Sequence, residues 1–90
     1  MFEWDEAKSE RNWIERGFDF ASAARIFDGD TLEREDTRRD YGGQRIVAIG
    51  QVDGITLTVV YAERDDARRI ISARRANRRE RRVYDQAIGG

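Results

Sequence analysis

Histidine, cysteine and proline are all absent from this 90-residue chain. Without cysteine, the chain can form neither a disulfide framework nor a thiolate metal site. Without histidine, it lacks the usual zinc ligand, the usual general base and the histidine form of a catalytic triad. Neither a bound metal nor a cofactor is predicted.

Long apolar stretches are missing as well. The N-terminus does not have the basic region and apolar run of a signal peptide, and no segment is apolar over a length that could span a bilayer. Ninety residues fit one domain with a core of modest size. The expectation is a single cytoplasmic domain over residues 1–90 that has no membrane partner.

Charge is abundant but unevenly distributed. Charged residues make up 39% of the chain, and the net charge is −1. Residues 1–67 carry nine basic and sixteen acidic residues, whereas residues 68–82 carry eight arginines and one acid, Glu80. The arginines are Arg68, Arg69, Arg74, Arg75, Arg78, Arg79, Arg81 and Arg82. Such asymmetry indicates the kind of partner rather than the fold.

The first third of the chain predicts one short strand and two helices. The strand covers Phe2 to Trp4, and Asp5 then caps a helix that Gly17 ends. A second helix starts near Asp19 and ends at Gly29. Its apolar residues recur at helical spacing: Phe20, Ala23, Ala24 and Phe27.

From residue 30 onwards the pattern changes to that of strands. Residues 31–36 alternate weakly, and the polar "TRRDYGG" at 37–43 is typical of a loop. "RIVAIGQV" and "ITLTVVYAE" are rich in β-branched residues, and Asp53-Gly54 between them is a strong signal for a two-residue hairpin turn. A second hairpin turns through "RDDA" into a strand over residues 68–75.

A third helix follows, because Asn77 can cap it and Glu80 occupies the position of a capping box. The predicted order is β-α-α-β-β-β-β-α. Since the later strands are joined by hairpins, we expect an α+β domain. It would have an antiparallel sheet, with two N-terminal helices and one C-terminal helix over one face.

Strand alternation separates the arginines at the end of the predicted strand 68–75. One face takes Ile70, Ser72 and Arg74, and the other takes Ile71, Ala73 and Arg75. In the last helix one side takes Arg78, Arg81 and Arg82, and another takes Glu80 and Tyr84. From chemistry alone this basic segment could be a solvated helix, a site for phosphate or nucleic acid, or part of a catalytic site. The aromatic residues Trp4, Trp13, Phe18, Phe20 and Phe27 are predicted to lie in the core.

Four motifs then point to a family. They are "FEWDEAK" with Asn12 after it, G-x-x-F at Gly17 to Phe20, R-x-x-A-I-G at Arg45 to Gly50, and a longer one. The longer motif is I-I-S-x-R-x-A-x-x-x-E-R, formed by Ile70, Ile71, Ser72, Arg74, Ala76, Glu80 and Arg81. In this order and over most of the chain, the motifs resemble those of BrnT toxins, the ribonuclease half of bacterial type II toxin–antitoxin pairs.

The resemblance implies a RelE-like fold and RNA cleavage without a metal. It also implies a BrnA-type antitoxin that covers the active surface, with operator DNA bound only through the toxin–antitoxin complex. One departure stands out. Relatives often have Lys-His-Gly at the end of the first helix, whereas this chain has Glu15-Arg16-Gly17. The alternatives to a toxin are a basic module that binds nucleic acid or an acidic protein without catalysis, and a degenerate, inactive toxin.

For cleavage by the RNA 2′-OH, arginine suits the role of a clamp on the phosphorane, since its pKa exceeds about 12 and it cannot act as a base. We predict Arg74 first, Arg81 second and Arg64 third in this role. Candidates for the base are Glu80, Lys8, Glu63 and Tyr84, although arginines around Glu80 should weaken it as a base and suit it to holding Arg74 or Arg81 in place. The predicted RNA-binding surround consists of Arg75, Arg78, Arg82 and Tyr84.

Overall fold

The computed structural model describes residues 1–38 and 43–89, and its elements follow the predicted order. Three helical segments precede β2: α1, α2 and a 3₁₀ helix that continues α2. The elements are β1 (Phe2–Trp4), α1 (Glu6–Arg16), α2 (Phe20–Ala23), the 3₁₀ helix (Ala24–Asp28), β2 (Leu32–Glu35), β3 (Arg45–Val52), β4 (Ile55–Arg64), β5 (Ala67–Arg75), α3 (Arg78–Tyr84) and a π-helical turn (Asp85–Gly89). Part of the predicted loop at 37–43, including Tyr41, lies outside the described residues.

The local signals for chain reversal are confirmed. Asp53 and Gly54 both have positive φ, 52° and 80°, as the turn between β3 and β4 requires. Asp65, in the turn between β4 and β5, has φ 54°. Asp5 caps α1 through its side chain, and Gly17 ends that helix in the left-handed conformation with φ 83°.

The five strands form one mixed sheet in the order β1-β5-β4-β3-β2. The prediction of a purely antiparallel sheet is wrong, because β1 pairs with β5 in parallel, with Phe2 opposite Arg68 and Trp4 opposite Ile70. The other three pairings are antiparallel. The hairpin rules used for the prediction apply only to strands that are neighbours in the chain, and β1 is separated from β5 by more than sixty residues.

One face of the sheet packs against α2 and the 3₁₀ helix. Ile26 approaches β3 so closely that a Cβ placed on Gly50 would lie 2.8 Å from the Ile26 Cβ. The predicted second helix has the expected start at Asp19 and the expected end at Gly29, but its second half is the tighter 3₁₀ form. The core here consists of Phe20, Ala23, Ile26, Ala48, Leu57, Val59, Tyr61, Ile70 and Ala73.

The predicted core aromatics divide in two. Phe20 is 2% exposed, and Trp4, Phe18 and Phe27 are partly buried against the core. Trp13 is 58% exposed on α1, so its assignment to the core is wrong. The buried residues of α1 are instead the polar Ser9 and Asn12, because both bind backbone groups that follow the helix. The Asn12 amide donates a hydrogen bond to the Phe18 carbonyl, and the Ser9 hydroxyl accepts one from the Phe20 N–H.

The opposite face of the sheet is named here the Arg74 face. The strand register assigns to it Leu32, Arg34, Arg45, Val47, Ile49, Thr58, Val60, Ala62, Arg64, Arg69, Ser72 and Arg74. A β-bulge in β5 contributes to this arrangement, since Val60 pairs with Ser72 and Tyr61 with Ile70, which leaves Ile71 without a partner in the ladder. Ile70 therefore shares the core face with Ala73, and its assignment to the face of Arg74 is wrong.

The predicted placement of all helices over one face is also wrong. α1 lies beside the second half of β5, which extends beyond the pairing with β1. There the Arg16 guanidinium donates a hydrogen bond to the Ala73 carbonyl at 3.0 Å. α3 lies beside the Arg74 face, and the buried Tyr84 fixes its end by donating to the Asp30 carbonyl at 2.8 Å. Within residues 1–38 and 43–89, no helix has the length and apolarity needed to cross a membrane.

Candidate active site

The start of α3 holds a carboxylate against the end of β5. The Asn77 side chain accepts a hydrogen bond from the Glu80 backbone N–H at 2.8 Å, and the Glu80 carboxylate accepts one from the Asn77 N–H at 2.8 Å. This confirms the predicted capping box. Because both bonds are made, the Glu80 side chain is held in one orientation at the first turn of α3.

Glu80 also forms a bidentate ion pair with Arg74. The two guanidinium Nη atoms donate to the two carboxylate oxygens at 2.7 and 2.9 Å. The Glu80 side chain is 16% exposed and that of Arg74 is 45% exposed. Hydrogen bonding to Arg74, with a further contribution from the Asn77 N–H, lowers the pKa of Glu80 to about 2. The same contact raises the pKa of Arg74, so that both groups stay charged at neutral pH.

Arg74 keeps donors for a ligand. A guanidinium has five N–H groups, and the pairing with Glu80 uses one from each Nη atom. The edge formed by Nε and Nη2 is the second edge of the fork that can bind two oxygens at once. A phosphate oxygen pair can therefore bind Arg74 while Glu80 remains paired with it.

Two residues near this pair were not identified from the sequence. Thr58 is the strand partner of Arg74 and is 1% exposed, and its hydroxyl lies close enough to Glu80 to contribute to the low pKa of that carboxylate. The hydroxyl makes no hydrogen bond to any of the described residues. Arg38 donates two hydrogen bonds of 2.9 Å to the Asp36 carboxylate. It lies near enough to Arg74 for the two positive charges to repel, which opposes the rise in the pKa of Arg74. The strand register could have revealed Thr58, but Arg38 follows the end of β2 and only the tertiary structure brings it near Arg74.

The other predicted residues of α3 occupy different environments. Arg81 donates to the Ala76 carbonyl at 3.0 Å and so stabilises the turn between β5 and α3. Tyr84 is 5% exposed, and burial raises the pKa of its hydroxyl. Arg78 and Arg82 are exposed. Arg75 is exposed on the core side of the sheet, since it pairs with Leu57, so Arg74 and Arg75 do point in opposite directions.

Lys8 and Arg64 do not lie beside Arg74. Both line a second cavity of about 460 Å³ near the far end of the same face. Arg64 lies six residues along β4 from Thr58, the partner of Arg74, which corresponds to about 20 Å. The structure thus brings Arg74 and Glu80 together and places Arg64 far from them, whereas Lys8 lines one cavity with Arg64 and another with Ser72.

A groove of about 510 Å³ adjoins the Arg74–Glu80 pair, between α3 and strands β2 and β3. Its wall includes Glu80 and Asn77 from the start of α3. Its remaining lining consists of four apolar residues, Leu32, Val47, Ile49 and Val83, and three charged ones, Glu33, Arg34 and Arg79. A flat ring with polar edges has the shape and polarity to fit such a groove.

Arg16, at the predicted departure from the family pattern, makes structural contacts. Its guanidinium donates to the Asn12 side chain at 3.1 Å and to the Ala73 carbonyl at 3.0 Å. Ala73 precedes Arg74 in β5, so these bonds fix α1 against the strand that carries the site. Arg16 also lines a smaller cavity with Lys8 and Ser72.

Cations clustered along one face of a domain are a feature of surfaces that bind nucleic acid. The family model that matches the chain is that of BrnT, the ribonuclease toxin of a type II toxin–antitoxin system, over residues 4–80. The chain belongs to this family. The matched range contains Lys8, Arg64, Arg74 and Glu80 and stops before Arg81. No curated protein matched the chain. Membership in a type II system implies an antitoxin as partner.

Proposed function

We propose that this chain is an endoribonuclease toxin whose reacting centre is the Arg74–Glu80 pair, and that it cleaves RNA without a metal ion. The single observation that carries the proposal is the bidentate contact of 2.7 and 2.9 Å between these side chains. A patch that only attracts RNA needs arginines alone. A catalytic site also needs one arginine in a fixed orientation, and the Glu80 carboxylate, itself held by the capping box, can orient Arg74.

In the proposed reaction the RNA 2′-OH loses its proton to water and attacks the adjacent phosphorus. The bond to the 5′ oxygen breaks, that oxygen takes a proton from water, and a 2′,3′-cyclic phosphate forms. Negative charge accumulates on the non-bridging oxygens in the transition state. The Nε–Nη2 edge of Arg74, where Glu80 takes one Nη2 hydrogen and no other described residue is bound, would bind these oxygens in bidentate fashion, with further positive charge from Arg38 nearby. The apolar groove next to Glu80 would hold the base of a flanking nucleotide.

Glu80 acts in this proposal as a positioning residue. A carboxylate with a pKa of about 2 is a poor proton acceptor at neutral pH, which argues against Glu80 as the general base. Lys8 and Glu63 line the second cavity and do not line the groove beside Glu80. The Tyr84 hydroxyl is buried and donates to Asp30. Orientation of the RNA and stabilisation of charge would therefore supply most of the rate.

The test compares neighbouring arginines on opposite faces of β5. We expect Arg74→Ala to reduce RNA cleavage in EDTA by about a hundredfold or more and to abolish growth arrest, because a charge-stabilising donor is lost. Arg75→Ala removes the same charge one residue away and is expected to change cleavage less than about threefold. Mapping of the RNA ends identifies the cyclic phosphate. Full growth arrest by a well-folded Arg74→Ala variant would contradict the assignment.

We further propose a BrnA-type antitoxin that covers the Arg74 face in the cytoplasm, with operator DNA bound only through the toxin–antitoxin complex. The net positive segment at residues 68–82 supports an acidic segment in that partner. Expression of the toxin gene with and without its neighbouring gene tests this, since only the neighbour should restore growth.

The same assays identify the other functions. A wild-type protein that leaves RNA intact in EDTA, yet binds it in a salt-dependent way, is a basic binding module. A protein that neither cleaves nor binds RNA, but still binds the antitoxin, is a degenerate toxin.

A further inference from the structure

The second cavity of the Arg74 face, named here the cationic cavity, has an unusual lining. Four of its side chains are cations, Lys8, Arg45, Arg64 and Arg69, and Glu63 is its one carboxylate among the described residues. Lys8 and Arg64 are exposed, and the Arg69 side chain is 35% exposed, so ligands can approach these groups from solvent. Two of these groups form long ion pairs with neighbours. Arg69 lies 3.8 Å from Glu3, and Glu63 lies 3.7 Å from Arg68.

The position of the cationic cavity relates it to the Arg74–Glu80 pair. Arg45, Ala62 and Arg69 are strand partners across β3, β4 and β5, and all three belong to the Arg74 face. Arg64, at one end of the cavity, lies about 20 Å along β4 from Thr58, the strand partner of Arg74, and Arg69 lies five residues from Arg74 in β5. Both features therefore belong to one continuous surface, and an RNA strand that crosses the face can contact both.

We propose that the cationic cavity binds a backbone phosphate of the RNA strand several nucleotides away from the scissile phosphate. This inference rests on the proposed ribonuclease function and adds a second contact for its substrate. It also changes the role expected of Lys8 and Arg64, from groups at the reacting phosphate to groups that hold the strand.

The lining favours RNA over a segment of the antitoxin. Protein–protein interfaces have an apolar and aromatic centre, whereas nucleic-acid interfaces are polar and positively charged. The cationic cavity has only two apolar side chains, Ala62 and Ile71, and no aromatic one among the described residues that line it. Guanidinium groups that lie side by side suit phosphate oxygens, which accept hydrogen bonds from several donors.

A remote phosphate contact has a signature that depends on RNA length. A strand of about twelve nucleotides is long enough to contact both ends of the face, whereas a trinucleotide bound at Arg74 is too short. Loss of one cationic contact should therefore weaken the binding of the long RNA and leave the binding of the short RNA unchanged. It should also reduce the slope of log K against log salt by about 0.7 for a single strand.

The experiment uses the full chain and RNA in which 2′-O-methyl groups prevent cleavage. Binding of a twelve-nucleotide and a three-nucleotide RNA is measured for the wild type, Arg64→Gln and Lys8→Gln, by fluorescence anisotropy and by NMR titration respectively, at several salt concentrations. The matched control is Arg25→Gln, which removes an exposed arginine paired with Asp53 at the other side of the molecule. Thermal denaturation verifies that each variant is folded.

We expect Arg64→Gln to weaken the long RNA about tenfold more than Arg25→Gln does, with the lower salt slope, and to match that control on the trinucleotide. The inference would be overturned if Arg64→Gln and Arg25→Gln reduced the affinity for the long RNA equally. It would also be overturned if Arg64→Gln reduced the affinity for the long and the short RNA equally. Retained RNA affinity with weaker antitoxin binding would assign the cavity to the antitoxin instead. If the wild type binds RNA and the variants do not differ, only this inference fails. If the wild type does not bind RNA, the proposed function fails as well.

Discussion

Glu80→Gln isolates the charge of the Arg74–Glu80 pair from the helix cap. Glutamine is accepted at the same position of a capping box, so the bond to the Asn77 N–H can persist while the negative charge is lost. The fall in the pKa of Glu80 from 4.5 to about 2 corresponds to about 3 kcal/mol of stabilisation as an upper limit. Because the Arg74 side chain is 45% exposed, solvent screening reduces this to about 1–2 kcal/mol.

The pH dependence follows from the direction of this change in pKa. A carboxylate whose pKa is lower in the folded state stabilises the protein above the pKa of the unfolded chain, 4.5, and loses that effect as the pH falls towards 2. At pH 7 the wild type should therefore exceed Glu80→Gln by about 1–2 kcal/mol, or by about 5–15 °C in Tm. By pH 3 roughly half of this difference should be lost, because the unfolded wild-type chain is then mostly protonated at Glu80.

Urea and thermal denaturation at pH 7 and pH 3 provide the measurement, with Glu10→Gln on the exposed side of α1 as a control that also removes one carboxylate. The control should show little difference from the wild type at either pH. A stability difference for Glu80→Gln that is the same at both pH values would refute the reasoning. If Glu80 positions Arg74, cleavage at pH 7 should also fall by about ten- to a hundredfold.

Three further variants test the packing around the site. Asn77→Ala removes the α3 cap and should reduce stability by about 1 kcal/mol in urea, together with a loss of cleavage, whereas Asn77→Ser should retain both. Tyr84→Phe removes the hydrogen bond to Asp30 and should lower the free energy of unfolding by about 1 kcal/mol, so an unchanged value would show that the bond is replaced by water. Gly50→Ala places a Cβ 2.8 Å from the Ile26 Cβ and should cost about 1–3 kcal/mol, visible as a lower Tm.

Within the candidate site, local sequence signals were enough to predict the capping box and the opposite directions of Arg74 and Arg75. The predicted group of reactive residues was too large, because position in a motif does not report distance. Lys8 belongs to α1 and Arg64 to the end of β4, and both meet Arg69 only after β5 has paired with β4. Arg38 and Thr58 were missed for the same reason, since neither is close to Arg74 in the chain.

The sequence by itself determined the order of the elements, the turns at Asp53-Gly54 and Asp65, and the caps at Asp5, Asn77 and Gly17. Each of these depends on backbone conformation and hydrogen bonds within a few residues. Only the tertiary structure decided the parallel pairing of β1 with β5, the bulge at Ile71 and the side of the sheet on which α3 lies. Those features depend on which surfaces can be buried together across the whole chain. They also set the distance of about 20 Å between Arg64 in the cationic cavity and Thr58, the strand partner of Arg74.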